Sequence, residues 1–362
     1  MKTQGDNTYF IAGGQSIIQA IKTRLLSPTN LIDLQAVGDL RGISYDGGTT
    51  RIGAMTRYCD IARSSQLSPS HLAIQDAAAH VGDWQVRNRG TIGGLLNWNY
   101  VSSCVPPSCV GVGAKVELLN ASGERRILNA EDFLGWPLET ECQDDEIMLA
   151  VILEDKANTG SRIRVRSHGR RRLQSSITRQ HWPTGNRQSI YARAGGITMK
   201  TDVSININGE TYEETVENRL LLVDFIRDHA HLTGTHVGCS FEGVCDACTV
   251  QFNGEPVKSC LMLATQANGH NITTVESLAE GNLKGGDNRS VLQRSFSEHH
   301  ALQCGYCTPG ILVNMSEFLQ ENPDPIEEEI RHALIGNICR CTGYVQIVEA
   351  VKHAASELRS KL

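Results

Sequence analysis

Residues 238–260 read GCSFEGVCDACTVQFNGEPVKSC, residues 303–310 read QCGYCTPG and residues 336–344 read GNICRCTGY. Eight of the twelve cysteines lie in these stretches. Cys239, Cys245, Cys248 and Cys260 form one quartet; Cys304, Cys307, Cys339 and Cys341 form another. A C-x4-C-x2-C run with a distant fourth cysteine is a ligand spacing of 2Fe-2S centres, and the first quartet differs from it by one residue. Two quartets predict two single-electron centres in one chain. A disulfide framework would need an oxidising compartment, and the N-terminal MKTQGDNTYF lacks the apolar core and cleavage site of an export signal. Structural zinc also takes four thiolates, and the second quartet read by itself leaves that alternative open. The loop from Gly238 to Cys248 favours iron, because glycine and small residues let backbone amides turn inward onto the sulfurs of a charged cluster.

The surrounding pattern divides residues 200–358. VSININGETYEET alternates apolar and polar residues about Asn208 and Gly209 and predicts a hairpin; RLLLVDFIRDH then takes a helical period. CTVQFNGEPVKSC predicts a second hairpin with its turn at Asn253 and Gly254. Beyond Gly286, SVLQRSFSEHHAL, GILVNMSEFLQ, PIEEEIRHALIG and YVQIVEAVKHAASEL predict four amphipathic helices. Pro309 and Pro325 suit first helical turns, where a missing amide is tolerated. Cys304 and Cys307 then fall between the first two helices, and Cys339 and Cys341 between the last two.

On these motifs, residues from about 200 to 355 resemble the iron-sulfur subunit of the molybdenum hydroxylases, the family of xanthine dehydrogenase and aerobic carbon monoxide dehydrogenase. The resemblance implies a ferredoxin-like β-grasp domain over 200–278 holding one 2Fe-2S cluster on the first quartet. It implies a four-helix domain over 287–358 holding the second cluster beside the molybdopterin of a large partner subunit, with Gln303 and Cys341 within reach of the pterin. Arg340 and Tyr344 border that cluster as packing and positioning groups.

Two departures mark the first loop. Five residues separate Cys239 from Cys245 where four are usual, and Asp246 replaces a glycine between Cys245 and Cys248. An unpaired carboxylate at ~6 to 8 Å, with an effective dielectric of about 20, repels added charge by on the order of 2 kcal/mol, or up to roughly 90 mV of potential. The sequence therefore predicts a first cluster of lowered potential.

The N-terminal part has its own motifs. FIAGGQSI brings a short strand into a glycine pair and a helix-like run, and QVRNRGTIGG supplies a second glycine loop. With LIDL and RIGAMT between them, they resemble in order and spacing the FAD-binding subunit of the same family, over about Tyr9 to Glu154. The resemblance implies that Ala12, Gly13, Gly14, Gln15 and Ser16, with Thr91, Ile92, Gly93 and Gly94, cradle the FAD pyrophosphate. The resemblance leads to the expectation that the family's opening strand and helix and its C-terminal domain are missing, and it implies that Cys104 stands where an acidic residue helps to fix the adenosine end. A truncated FAD-binding domain over 7–154 is the expectation, with about four irons and no flavin in the purified chain. Cys59, Cys104, Cys109 and Cys142 form no ligand spacing and read as ordinary thiols.

Residues 155–199 read as a disordered basic linker. The part from 157 to 199 holds nine arginines, no lysine and no acidic residue, and shows no sustained apolar period. It falls where flavoprotein-like sequence stops and iron-sulfur sequence begins, as junction or out-of-frame sequence would. Net charge is −6 despite that basic run, so the remainder is acidic, which argues against nucleic-acid binding. No apolar run reaches the ~18 residues needed to span a bilayer, and cysteine usage points to the cytoplasm.

The fold class expected is α+β multidomain. The function expected is electron transfer within a molybdenum hydroxylase, from a large molybdopterin-binding subunit through two 2Fe-2S clusters towards FAD, with an intact FAD-binding subunit as a further partner. No substrate pocket, catalytic carboxylate or molybdenum ligand stands out, so turnover by the chain alone is not expected. A stand-alone 2Fe-2S carrier or redox sensor, and a non-functional fusion with an inactive flavoprotein half, are the alternatives.

Overall fold

The computed structural model describes residues 7–100, 103–155, 200–279 and 288–361. The linker expected over 155–199 lies, apart from Asp155, outside the described residues.

The N-terminal part begins with strand β1 (Thr8–Ile11), a glycine loop, helix α1 (Ile17–Lys22) and strand β2 (Asn30–Asp33). β1 and β2 pair in parallel, Ile11 opposite Asp33. Strands β3 (Ile43–Asp46) and β4 (Thr49–Gly53) follow, then helices α2 (Tyr58–Ala62), α3 (Leu72–Ala79), α4 (Trp84–Arg87), α5 (Ile92–Trp98) and α6 (Val105–Val112). β5 (Lys115–Asn120), β6 (Arg125–Asn129), helix α7 (Ala130–Phe133) and β7 (Glu146–Glu154) complete it. β3 to β7 form one antiparallel sheet in the order β3-β4-β7-β5-β6. Its apolar face packs on α2, α3, α5 and α6 through Ile52, Ile61, Ile74, Leu96, Val116 and Val151.

The second part starts with β8 (Lys200–Ile207) and β9 (Glu210–Glu217), the predicted first hairpin. Asn208 and Gly209 both take positive φ, +56° and +87°, the conformation of a two-residue turn that matches strand twist. Val203, Ile205 and Ile207 alternate inward from β8. Helix α8 (Leu222–Asp224) runs into a π-turn over Phe225–His229, so the predicted helix is short and wide at its end. β10 (Thr249–Phe252) and β11 (Glu255–Lys258) form the second hairpin, again on a left-handed Asn253–Gly254 pair, and β12 (Asn271–Thr273) closes a mixed sheet ordered β11-β10-β12-β8-β9.

Four helices follow: α9 (Val291–Glu298), α10 (Thr308–Glu321), α11 (Glu327–Ala333) and α12 (Val345–Ser360). Ser290 and Gln293 cap α9 reciprocally. Pro309 lies in the first turn of α10, as expected, whereas α11 begins two residues after Pro325 and its Glu329 carboxylate accepts the Ile326 amide instead. Ile311, Met315, Ile330, Ile347 and Val351 share the core between these helices.

The N-terminal part does not stand apart from the rest. Ile11 and Ile18 pack with Val223, Cys248, Cys260, Leu261 and Leu263 in a single apolar cluster. The wall behind the first cysteine quartet is thus built partly from β1 and α1.

Candidate functional site

Ser240, Phe241, Gly243 and Asp246 all take positive φ, between +52° and +71°, so the first loop winds tightly around its cysteines. The fifth residue between Cys239 and Cys245 is taken up within this left-handed winding. The sulfurs fall into two pairs, Cys239 with Cys245 and Cys248 with Cys260. The Val244 amide donates to Cys239 Sγ at 3.4 Å. Burial opposes ionisation of Cys239, but the amides of Val244, Cys245 and Gly243 bring its thiol below the usual range. Cys260 is also lowered, first by its contact with Cys248. Cys248 and Cys260 are buried, while Cys239 and Cys245 are half-buried.

The second quartet closes the same way. Cys304 and Cys341 lie 3.5 Å apart, sulfur to sulfur, and are exposed; Cys307 and Cys339 pair deeper in. Burial pushes the Cys307 thiol up to about 12, with Cys339 adding to it, whereas the Thr342 hydroxyl and amide outweigh burial to lower Cys339. The Tyr344 hydroxyl accepts the Cys339 amide at 2.8 Å and donates to the Asn337 carbonyl at 3.0 Å, a positioning contact. Gln303 is exposed beside Cys304. Both sulfur sets fit a 2Fe-2S cluster by their paired sulfurs and by the amide and hydroxyl donors around them.

The two sites are joined. The Ile338 amide, one residue before Cys339, donates to the Cys245 carbonyl at 3.1 Å. Tyr306, between Cys304 and Cys307, stacks on His236 with ring centroids 4.5 Å apart and donates its hydroxyl to the Val237 carbonyl at 2.9 Å. Gly238 is tightly enclosed: a Cβ would stand 3.0 Å from Cys245 Sγ and 3.4 Å from the Tyr306 ring, so a larger residue would press on both.

Asp246 does not carry its charge alone, as the sequence had suggested. Lys258 lies 2.6 Å from Asp246 Oδ1, 2.6 Å from Asp83 Oδ2 and 2.6 Å from the Gly243 carbonyl, and its side chain is 1% exposed. Burial pulls the Lys258 ammonium down, but the two carboxylates more than offset this and keep it protonated. One cation faces two carboxylates here, and burial, followed by the neighbouring Asp83 charge, pushes the Asp246 carboxyl well above its ordinary range while Lys258 acts in the opposite sense. The like charge expected beside the first cluster is therefore weakened.

In the N-terminal part the two glycine loops meet. A Cβ on Gly13 would stand 2.0 Å from the Arg89 carbonyl, and one on Gly94 would touch Ala12 at 3.6 Å. The loops contribute differently, however. The amides of Ile92, Gly93 and Gly94 are already taken by the Thr56 carbonyl, the Ala54 carbonyl and Thr91 Oγ1. Those of Gly13, Gly14, Gln15 and Ser16 make no hydrogen bond among the described residues, and Gln15 Oε1 is buried without a partner. With Gly14 at φ +77°, this loop fits a diphosphate as an amide nest, and Thr91 to Gly94 brace it. Cys104 turns its sulfur to the Ala77 carbonyl at 3.4 Å. Burial pushes Cys59 and Cys109 up to about 12 and Cys142 to about 11, so all three remain protonated thiols at neutral pH.

Residues 1–153 match the family described as the FAD binding domain in molybdopterin dehydrogenase, and residues 274–352 match the [2Fe-2S] binding domain. Caffeine dehydrogenase subunit gamma of Pseudomonas sp. (strain CBB1) is 50% identical over 153 residues, 41% of this chain and 88% of that protein. The chain belongs to the molybdenum hydroxylase family. The nicotine 6-hydroxylase small subunit of Paenarthrobacter nicotinovorans is 45% identical over 162 residues, covering 45% of this chain and 94% of that one. Quinoline 2-oxidoreductase from Pseudomonas putida 86 matches with 44% identity over 44% of this chain and 97% of that chain, at a TM-score of 0.41. The resemblance read from the motifs is borne out. This molybdenum hydroxylase chain is of the oxidoreductase class and combines an FAD-binding domain with 2Fe-2S binding sequence. Among the described residues no helix is long and apolar enough to cross a membrane.

The sequence did not reveal Lys22, Asp83, His236 or Lys258 as parts of these sites. Each acts on a loop distant in the chain, and nothing in its local pattern sets it apart.

Proposed function

We propose that this chain is the electron-transfer component of a molybdenum hydroxylase, accepting electrons from a large molybdopterin-binding subunit at the second quartet and passing them through the first quartet towards FAD. In this reading 200–278 is a β-grasp ferredoxin-like domain, 287–358 a four-helix cluster domain and 7–154 the flavin-side domain. Two 2Fe-2S clusters, when bound, supply one-electron storage at each quartet.

The hydrogen bond from the Ile338 amide to the Cys245 carbonyl carries the proposal, because it links the ligand loops of both quartets directly. Burial supports the direction. Cys304 and Cys341 are exposed among Leu302, Gln303, Tyr306 and Ile338, which are exposed as well, a surface suited to an electron-donating partner. Cys248 and Cys260 instead face the apolar wall shared with Ile11 and Ile18, which excludes water on the flavin side. The relatives are named as gamma and small subunits, in keeping with one component of a larger assembly.

Anaerobic loading with iron and sulfide, followed by reduction and electron paramagnetic resonance, tests the proposal: two distinguishable signals and about four irons per chain are expected. Zinc in place of iron, or a single signal, would overturn it. Co-purification with a molybdopterin-containing subunit tests the partner, and a cluster-loaded chain that captures none would favour a stand-alone carrier.

A further inference from the structure

We infer that Lys22, on the flavin-side domain, is a positioning residue that sets the potential of the first 2Fe-2S centre. The inference rests on the reading of Cys239, Cys245, Cys248 and Cys260 as cluster ligands.

Lys22 ends α1, two turns beyond the glycine loop at 13–16. Its ammonium crosses to the other part of the molecule and donates to the Phe241 carbonyl at 2.6 Å and to the Cys260 carbonyl. It also stands 5.9 Å from the centre of the Phe241 ring. One anchor thus lies in the loop between Cys239 and Cys245, and the other on a ligand cysteine itself. Gln19, one turn earlier, adds a neutral contact to the Glu242 carbonyl at 2.6 Å.

The charge of Lys22 is uncommitted. Among the described residues it makes no ion pair within 4.0 Å; Asp224 on α8 is the carboxylate that acts on it from farther off. Lys258, the other cation near the loop, is held between Asp83 and Asp246. A quartet of thiolates gains a further negative charge when its centre is reduced, and a fixed cation nearby favours that state. Lys22 is half-buried, where screening by salt is weak. Lys22 therefore contributes a positive charge that makes the adjoining centre easier to reduce, and α1 couples the diphosphate loop at one end to the cluster loop at the other.

Redox titration of the full, cluster-loaded chain followed by paramagnetic resonance tests this, with Lys22→Met, Lys22→Arg and Gln19→Leu compared with the unaltered chain. Lys22→Met should lower the reduced-to-oxidised ratio of the first centre about tenfold at fixed poise, a shift of about 59 mV for one electron, and leave the second centre in place. Lys22→Arg should restore the original potential. Gln19→Leu removes a docking contact without changing charge and should leave the potential unmoved. An unmoved first centre in Lys22→Met, an equal shift of both centres, or an equal shift in Gln19→Leu would overturn the inference. A chain lacking both signals before any substitution would overturn the cluster reading as well, a result distinct from a present signal that Lys22→Met fails to shift.

Discussion

Lys258 is a buried cation whose three donors all find partners: two carboxylates and the Gly243 carbonyl. Removing one member of such a group leaves the others desolvated and unpaired, which costs about 3 to 5 kcal/mol. Lys258→Met should destabilise the chain by about that amount in urea unfolding of the apoprotein, far more than loss of the exposed Lys352 ion pairs. The same pairing revises the expectation for Asp246. Asp246→Gly relieves a left-handed aspartate at φ +54°, and because burial and Asp83 push that carboxyl well above its ordinary range, it removes little negative charge. Its first-centre potential should therefore rise by well under the roughly 90 mV expected of an ionised carboxylate; a rise of that full size in redox titration would show that Asp246 carries its full charge. The sequence made Asp246 conspicuous but hid its partners, because Lys258 is twelve positions away and Asp83 belongs to the other part of the chain. Ion pairing of this kind is decided by tertiary approach, not by local spacing.

At the level of elements, what the sequence disclosed was whatever depends on neighbours along the chain. Both Asn-Gly turns took the left-handed pair their hairpins require, and the four amphipathic helices formed around the two interhelix cysteine pairs. The widened turn at Phe225–His229 was not legible, since a π-turn has the same apolar spacing as an ordinary helix end. Nor was it legible that the Thr91–Gly94 amides bind their own chain, because donors are assigned only once Ala54 and Thr56 come alongside. Helix α10 carries a further property that sequence alone conceals. Glu317 on this helix is held up at about 8, first by burial and then by Glu321, while Arg63 of the flavin-side domain acts in the opposite sense. A carboxyl raised when folded binds its proton more tightly in the native state, so its contribution is full below its ordinary value of about 4.3 and is lost as pH rises through about 8. Urea unfolding should show stability declining from pH 5 to pH 8 by on the order of 1 kcal/mol more in the unaltered chain than in Glu317→Gln. Equal slopes in the two proteins would mean that Glu317 is ionised throughout.

Across the whole molecule, the three parts converge on one point. A Cβ on Gly336 of the helical domain would lie 1.9 Å from Asp246 Oδ2 and 2.7 Å from Asp83 Cβ, and one on Gly310 would lie 2.2 Å from the Asp246 carbonyl. Around this junction, Asn88 donates to the Pro256 carbonyl at 3.0 Å, Arg57 pairs with Glu255, and Arg63 pairs with Glu321 at 2.6 Å. Such contacts, added to the apolar cluster of Ile11, Ile18 and Leu261, make the flavin-side domain a docked partner of the cluster domains and not merely a segment joined to them by chain. Covalent connection should then be dispensable for their association. With a site-specific protease sequence introduced between residues 156 and 199, the cleaved chain should elute from size exclusion as one particle. Asp83→Asn keeps the hydrogen-bond geometry that caps α4 through Val86 but removes a charge from the junction. In the cleaved form it should weaken association at least about tenfold, since each 1.4 kcal/mol of lost pairing is a factor of ten. If the cleaved but otherwise unaltered chain separates into two fragments at micromolar concentration, the docking contacts are too weak to hold the flavin side against the first quartet, and the direct route from that quartet to a flavin loses its structural support.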